Sequence, residues 1–499
     1  MKWFSLLLLV ATSAFATSPS TINNDDTCDV KVGPAATLLL PYFEVDVNGT
    51  SGQTTLFTVT NVARYPQVAH VTLWTDFGYP VLTFNIFLTG YDVQAINLAD
   101  ILVRGIIAPP SGTTSATTPG TLSASNSANP NLLTPSGCTT NPGVLPQSLV
   151  TTIRSALTTG SSSCTGIGST HANAIGYATV DLVASCTARS PTDPLYYTND
   201  LLFDNVLIGD YHQIGPHPAG ELPSSFDAAG NPMVHLRAVP EGGGVGGNVG
   251  SSVITALPYT FYDRYTPATT RTIDRRQPLP STYAARFIQG GTTAFRTNLT
   301  IWREGFGSGS CEDAKASAEM PVAEIVRFDE HENPYTLASF FCTCIYPIST
   351  LPATSSTASL SSVYPAMGSA DVGGWLYLNL NNGGSTTYSV THDVGGVPAP
   401  TNALTSLAPA GSTTTVGPRP SQNWVTVTMF GNLGGNHMTA EFDAASLGNG
   451  CSPAAFTTFA NSGAGQIGPA GGIFVCPPGT TLTDGSTAAC KGTNGNPIP

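Results

Sequence analysis

The run "RFDEHENP" at residues 327–334 sets Asp329, Glu330, His331 and Glu332 side by side in a chain of which only 10% of residues are charged. Adjacent carboxylates and an imidazole are the ligand types of a metal ion, or the parts of an acid–base pair. In an extended strand, successive side chains alternate faces, so Asp329 and His331 share one side while Glu330 and Glu332 share the other. Convergence on one point therefore needs an irregular turn, and Asn333-Pro334 supplies one only at the end of the run. Asp329, His331 and Glu332 are the candidates for a metal; pairing with an upstream basic block is the competing expectation and the favoured one.

That basic block is unusually dense. Seven of the fourteen arginines (Arg264, Arg271, Arg275, Arg276, Arg286, Arg296 and Arg303) fall between residues 260 and 303, opposed by Asp263 and Asp274, for a net +5. Residues 304–332 then carry eight acids against Lys315 and Arg327, a net −6. Planar guanidinium groups suit bidentate capture of phosphate or an acidic glycan. Adjacent blocks of opposite sign predict instead that they answer each other, a pairing that matters to stability only where it is partly buried.

Other constellations are weaker. His212, His217 and Glu221 stand in "GDYHQIGPHPAGE" at a spacing that neither a helix nor a strand gathers on one face, which predicts a polar surface loop. Asp46 and Asn48 in "VDVNGTSG" read as a hairpin turn rather than a calcium loop. The sequence contains no G-x-S-x-G elbow, phosphate-binding P-loop or H-E-x-x-H motif. No cofactor is expected. Trp74, Trp302, Trp375 and Trp424 lie in or at the end of apolar strands, which favours core packing over stacking on sugars. Asp76 and Glu304 would serve a glycosidase only if both faced one cleft roughly 5–10 Å across. They occupy equivalent places in two similar stretches, "AHVTLWTDFG" and "TNLTIWREGFG", which points to a shared strand-end role.

The elements that must position these residues are β-strands. "TLLLPYFEVDV", "TTLFTVTN", "VAHVTLW" and "VLTFNIFL" are short, bounded by Gly, Pro, Asn or Asp, and partly alternating. Ser, Thr, Asn and Gly supply the surface polarity, and such residues favour turns and strands over helix interiors. The sequence predicts an all-β chain of two immunoglobulin-like or related β-sandwich domains, 17–239 and 253–450, with few short helices. A Gly-rich stretch at 240–252 separates them, and a Gly/Cys-rich tail follows at 451–499. The first domain carries a long Ser/Thr/Gly/Pro-rich insertion, 106–172. Within it, Leu149, Ile153 and Leu157 predict a short helix between Pro146 and Gly160. "VQAINLADIL" reads as a further strand or a short helix.

At the N-terminus, Lys2, the apolar "WFSLLLLVA" and small Ala14 and Ala16 predict a signal peptide over 1–16 with a mature chain from Thr17. All ten cysteines follow it, an even set that predicts disulfides in an oxidising compartment. Short Gly/Ser/Thr-rich loops suggest Cys138–Cys164 and Cys476–Cys490, with Cys311 pairing to Cys342 or Cys344. The net charge of −13 argues against nucleic acid as a partner, and no transmembrane anchor is expected. The reading of the whole is a secreted or extracellular, non-catalytic protein, with retention in the periplasm or at the cell surface left open. Its role would be at a surface, adhesive or ligand-binding, with a glycan or a surface protein as partner. The alternative is a secreted polysaccharide hydrolase working through a carboxylate pair.

Overall fold

The computed structural model describes residues 32–49, 52–107, 145–216, 226–239, 260–262, 274–291, 294–305, 310–318, 324–331, 373–380, 422–433 and 436–447, with shorter pieces between and beyond. The expected signal peptide, most of the 106–172 insertion, nearly all of 240–252 and most of the tail lie outside the described residues.

The chain is all-β, with antiparallel sheets and few helices. The first nine strands are β1 (Thr37–Val45), β2 (Thr54–Asn61), β3 (Gln67–Thr75), β4 (Pro80–Leu88), β5 (Val93–Asn97), β6 (Ala174–Val183), β7 (Leu207–Pro216), β8 (Phe226–Pro232) and β9 (Val234–Leu236). They form two sheets, ordered β5-β2-β7-β8 and β4-β3-β6-β1-β9. Later strands are β10 (Thr282–Ile288), β11 (Arg296–Arg303), β12 (Glu324–Asp329), β13 (Pro334–Tyr335), β14 (Thr354–Ser359), β15 (Gly373–Asn379), β16 (Asn423–Leu433), β17 (Asn436–Asp443) and β18 (Ala445–Ser446). These make sheets ordered β13-β12-β15-β10-β18 and β14-β11-β16-β17.

The burial of individual strands shows how the sheets stack. In β2, Phe57 and Val59 are buried while Leu56, Thr58 and Thr60 are not, the alternation of a sheet with one covered face. Strand β6 is buried at every position. Its Ala178, Val180 and Leu182 join Leu38, Leu40, Phe57 and Val59 in one core, while Tyr177 and Val183 join another on the opposite face. Strand β3 divides the same way, with Ala69, Val71 and Leu73 on one side and Val68 and Trp74 on the other. The second core continues through Leu299, Ile301, Trp302, Leu376, Leu378, Val425 and Val427, so one apolar cluster draws on strands from both sides of the 240–252 stretch.

At the centre of that cluster the tryptophans of the two similar stretches meet. Trp74 stacks on Tyr177 at 5.7 Å, and Trp302 approaches the same ring edge-on at 5.8 Å. Both tryptophans are fully buried, as the core-packing expectation required. Trp424 is buried too, and half-buried Trp375 stacks on Phe328 at 3.9 Å.

"VQAINLADIL" contains both of its expected forms: β5 runs into α1 (Leu98–Leu102), and the Asn97 side chain caps the helix by accepting from the Ala99 N–H. Helix α2 (Gln147–Thr159) starts after Pro146 and stops at Gly160, whose φ of +60° favours glycine. Its buried face is Val150, Ile153, Ala156 and Leu157, whereas Leu149, expected on that face, is 37% exposed.

The disulfide expectations need correction. Cys164 bonds Cys311, across 147 residues, rather than Cys138, and Cys311 is thereby unavailable to Cys342 or Cys344. Phe77, Ala156, Ile167 and Ala314 form a small cluster that brings the end of α2 against α3 (Cys311–Ala316), and the two cysteines pack on it. Cys186 is disulfide-bonded as well. The side chains of Cys138, Cys342, Cys344, Cys476 and Cys490 lie outside the described residues.

Candidate functional site: a buried charge network and a carboxylate pair

Asp181 points from β6 into the core shared by the sheets and is fully buried. An ionised carboxylate there is tolerable only when its lone pairs are engaged and its charge is answered. Thr37 Oγ1 donates to it at 2.5 Å, Tyr196 OH at 2.7 Å and Tyr262 OH at 2.8 Å. Arg276 Nε stands 3.8 Å away, while Arg276 Nη1 donates to Asp274 at 3.0 Å. Burial pulls the Arg276 pKa down, but Asp274 and then Asp181 more than offset it and hold the guanidinium above its ordinary range. Burial, reinforced by the charge of Asp181, raises both tyrosine hydroxyls well above 10. The arginine also lies over the rings of Phe203 and Tyr262, at 5.4 and 5.3 Å.

The other arginines of the block are dispersed. Arg275 is buried against the Phe203 ring, and burial lowers its pKa against the opposing charge of Asp274. Arg303 is buried, donating to the carbonyls of Met320 at 2.7 Å and Leu380 at 2.6 Å and to Asn423 Oδ1 at 3.2 Å. Arg286 does cross to the acidic block, meeting Glu330 at 3.2 Å on the exposed surface. Arg296 is exposed, and Arg264 and Arg271 lie outside the described residues. Among the described residues, Arg276 is thus paired in the interior with Asp274 and with Asp181, 95 residues upstream.

In "RFDEHENP", β12 ends at Asp329, whose Oδ1 accepts the His331 N–H at 2.8 Å and so shapes the turn. Glu330 faces Arg286, and Glu332 lies outside the described residues. Among the described residues no three His, Cys, Asp or Glu side chains gather as metal ligands. His212 is in strand β7 rather than in the loop expected for it, and its ring lies against Gly230; His217 and Glu221 are outside the described residues. Asp46 shapes its hairpin turn, accepting from the N–H groups of Asn48, Gly49 and Gly52.

Asp76 and Glu304 are each buried at a strand end. Asp76 accepts from the Ser169 N–H at 3.1 Å and lies 2.9 Å from His171 Nε2, while the Glu304 N–H bonds the Gln422 carbonyl at 2.9 Å.

A second pair of carboxylates belongs to none of the motifs in the sequence. Glu441 and Asp443 lie two apart on β17 and so share a face. Tyr211 OH, from β7, donates to Glu441 Oε1 at 2.9 Å, and Asn231 Nδ2, from β8, donates to Asp443 Oδ1 at 2.7 Å. Trp424 Nε1 adds a third donor, 3.1 Å from the same Asp443 oxygen. Burial pushes Glu441 up to about 7, with the Tyr211 hydrogen bond opposing and the charge of Asp443 reinforcing; burial also raises Asp443. A carboxyl poised near neutrality can donate or accept a proton, and it can equally report pH to the junction it bridges. The signal was present as "TAEFDA" in an alternating strand, but Tyr211 and Asn231 come from more than 200 positions away and only Trp424 is near in sequence.

No family model matches this chain, and neither a curated protein nor a solved structure similar to it was found.

Proposed function

We propose that the chain is an exported, disulfide-bonded, non-catalytic β-protein with an adhesive or ligand-binding role at a cell surface or in the extracellular space. In this reading, 17–239 and 253–450 are two immunoglobulin-like or related sandwiches, tied into one body by their common core. The observation that carries it is the employment of the reactive side chains: Asp181, Arg276, Arg303, Asp76 and Glu304 are all buried and bound to the frame. A cross-link over 147 residues, of a kind that persists in oxidising compartments, supports export. Among the described residues no helix is long and apolar enough to cross a membrane, which fits the absence of such an anchor from this proposal.

The test is expression of the full chain in a secreting host, with mass analysis of the mature N-terminus and a survey of bound glycans and surface proteins. Retention of residues 1–16 in a cytoplasmic product would sink the export part. A polysaccharide hydrolase is the second reading, favoured by the shared face and raised pKa values of Glu441 and Asp443. Release of reducing ends from a polysaccharide panel, abolished in Glu441→Gln, would establish it and displace the non-catalytic proposal.

A further inference from the structure

Most large aromatic side chains of the described residues are buried, but Tyr65 and Tyr91 are 57% and 72% exposed. They stand on two turns, between β2 and β3 and between β4 and β5, which are knitted to each other. Buried Asn61 donates from Nδ2 to the carbonyls of both Tyr65 (2.7 Å) and Thr89 (2.9 Å), and its Oδ1 accepts the Ala63 N–H at 2.9 Å. The Tyr91 N–H bonds the Ala63 carbonyl at 3.0 Å. The turns approach so closely that a Cβ at Gly90 would run into the carbonyl of Arg64. Asp92 secures the second turn, accepting from the Thr89 and Val93 N–H groups and the Thr89 hydroxyl.

Tyr91 has φ +58°, a left-handed conformation that disfavours a bulky side chain. Glycine would adopt it freely, yet the position carries a ring that is turned out to water. Beside it, exposed Arg64 lays its guanidinium 4.5 Å from the Tyr65 ring centroid. The stacking holds that charge in place, and among the described residues no carboxylate pairs with it. The Asp92 carboxylate is held within its own turn by the Thr89 and Val93 N–H groups and the Thr89 hydroxyl and keeps its negative charge, so among the described residues Arg64 is the one cation set beside the two exposed rings.

We propose that Tyr91, Tyr65 and Arg64 form a binding site for a carboxylated pyranose sugar, of the uronic-acid type, with Tyr91 as the stacking platform. The amphipathic Tyr91 ring accepts the apolar face of the sugar, and the Arg64 guanidinium pairs with its carboxylate. Tyr65 is a positioning residue that carries Arg64. Size selects the occupant: two partly exposed tyrosines and Val93 offer on the order of 300 Å², far below the roughly 800 Å² per partner of a stable protein contact. Such a footprint fits one or two sugar rings.

This inference rests on the ligand-binding part of the function proposed above and is tested separately from export. The full oxidised chain is titrated by calorimetry with a trigalacturonate and with a neutral trisaccharide of glucose. The expected result is saturable binding of the acidic oligomer, weakened at least tenfold in Tyr91→Gly and at least fivefold in Arg64→Gln. Tyr91→Gly, freed of the unfavourable φ, should melt at the same or a higher temperature, so its loss of binding would not be a loss of fold. Unchanged affinity in both variants overturns the site and leaves the proposed function standing. Equal binding of the neutral oligomer overturns the role of Arg64. No binding of either sugar overturns the inference, while the mature N-terminus still decides export.

Discussion

Glu441→Gln should change how the stability of this protein depends on pH, and the sign follows from the site. The carboxyl is half-buried on β17, and its pKa rises from 4.5 to about 7 because burial disfavours the anion. Between those values the native state holds a proton that the unfolded chain has released, so stability falls as pH rises through the window and the full cost is present above pH 7. At 1.36 kcal/mol per pH unit the cost reaches about 3 kcal/mol. Glutamine cannot ionise and is free of it. The variant should therefore exceed the wild type by roughly 2–3 kcal/mol at pH 8.5 and fall below it by no more than about 1 kcal/mol at pH 4.5, where one neutral hydrogen bond is altered. Urea unfolding of the two oxidised proteins at half-unit pH steps gives this difference directly, with the other titrating groups cancelling to first order. Tyr211→Phe removes the donor that favours the ionised form and should steepen the dependence. A wild-type-minus-variant difference that is flat from pH 4.5 to 8.5 would refute the assignment of a near-neutral carboxyl to Glu441.

Three further outcomes follow from the buried frame. Asp181→Asn should destabilise by about 3–5 kcal/mol, since it leaves Arg276 short of an anion in the core; a double-mutant cycle with Arg276→Met should show coupling above about 1 kcal/mol in urea unfolding. Cys164→Ser with Cys311→Ser should cost roughly 2–5 kcal/mol, and peptide mapping of the wild type should recover the joined Cys164–Cys311 pair. Trp74→Ala and Trp302→Ala should each cost about 3–5 kcal/mol; because both rings rest on Tyr177, the double variant should depart from additivity by more than about 0.5 kcal/mol in the same assay.

What the sequence made legible was local. The strands, the turn at Asp46 and the limits of α2 are written in neighbouring residues, because alternation, Asx turns, and Pro at one helix end with Gly at the other act over a few positions. The buried face of α2 was misjudged by an edge. Steps of four along a helix over-rotate by about 40° each, so Leu149, Ile153 and Leu157 do not form one straight stripe, and Val150 and Ala156 complete the face instead. The cysteine pairing failed for a different reason. Loop length is one entropic factor, whereas the meeting of Cys164 with Cys311 is set by the docking of α2 on α3, which is tertiary.

The charge blocks show where such reasoning must stop. Their adjacency in sequence predicted mutual pairing, and Arg286 with Glu330 is such a pair, exposed at 3.2 Å. Exposed pairs contribute about 0–1 kcal/mol, so this one can hardly fix the fold. The costly positions are the buried ones, where Arg276 needs Asp274 and Asp181, and Arg303 needs the carbonyls of Met320 and Leu380. A guanidinium between sheets is tolerated only if partners are already in place around it. Asp181 arrives from β6, and the hydroxyls that hold it come from Tyr196 and Tyr262, 15 and 81 residues further along the chain. The same logic applies to Glu441, whose acidity is weakened by burial and by the neighbouring charge of Asp443, while the Tyr211 hydroxyl of β7 opposes the shift. Sequence spacing identifies which groups are able to ionise; the stacking of the sheets decides which of them must share a proton or a charge.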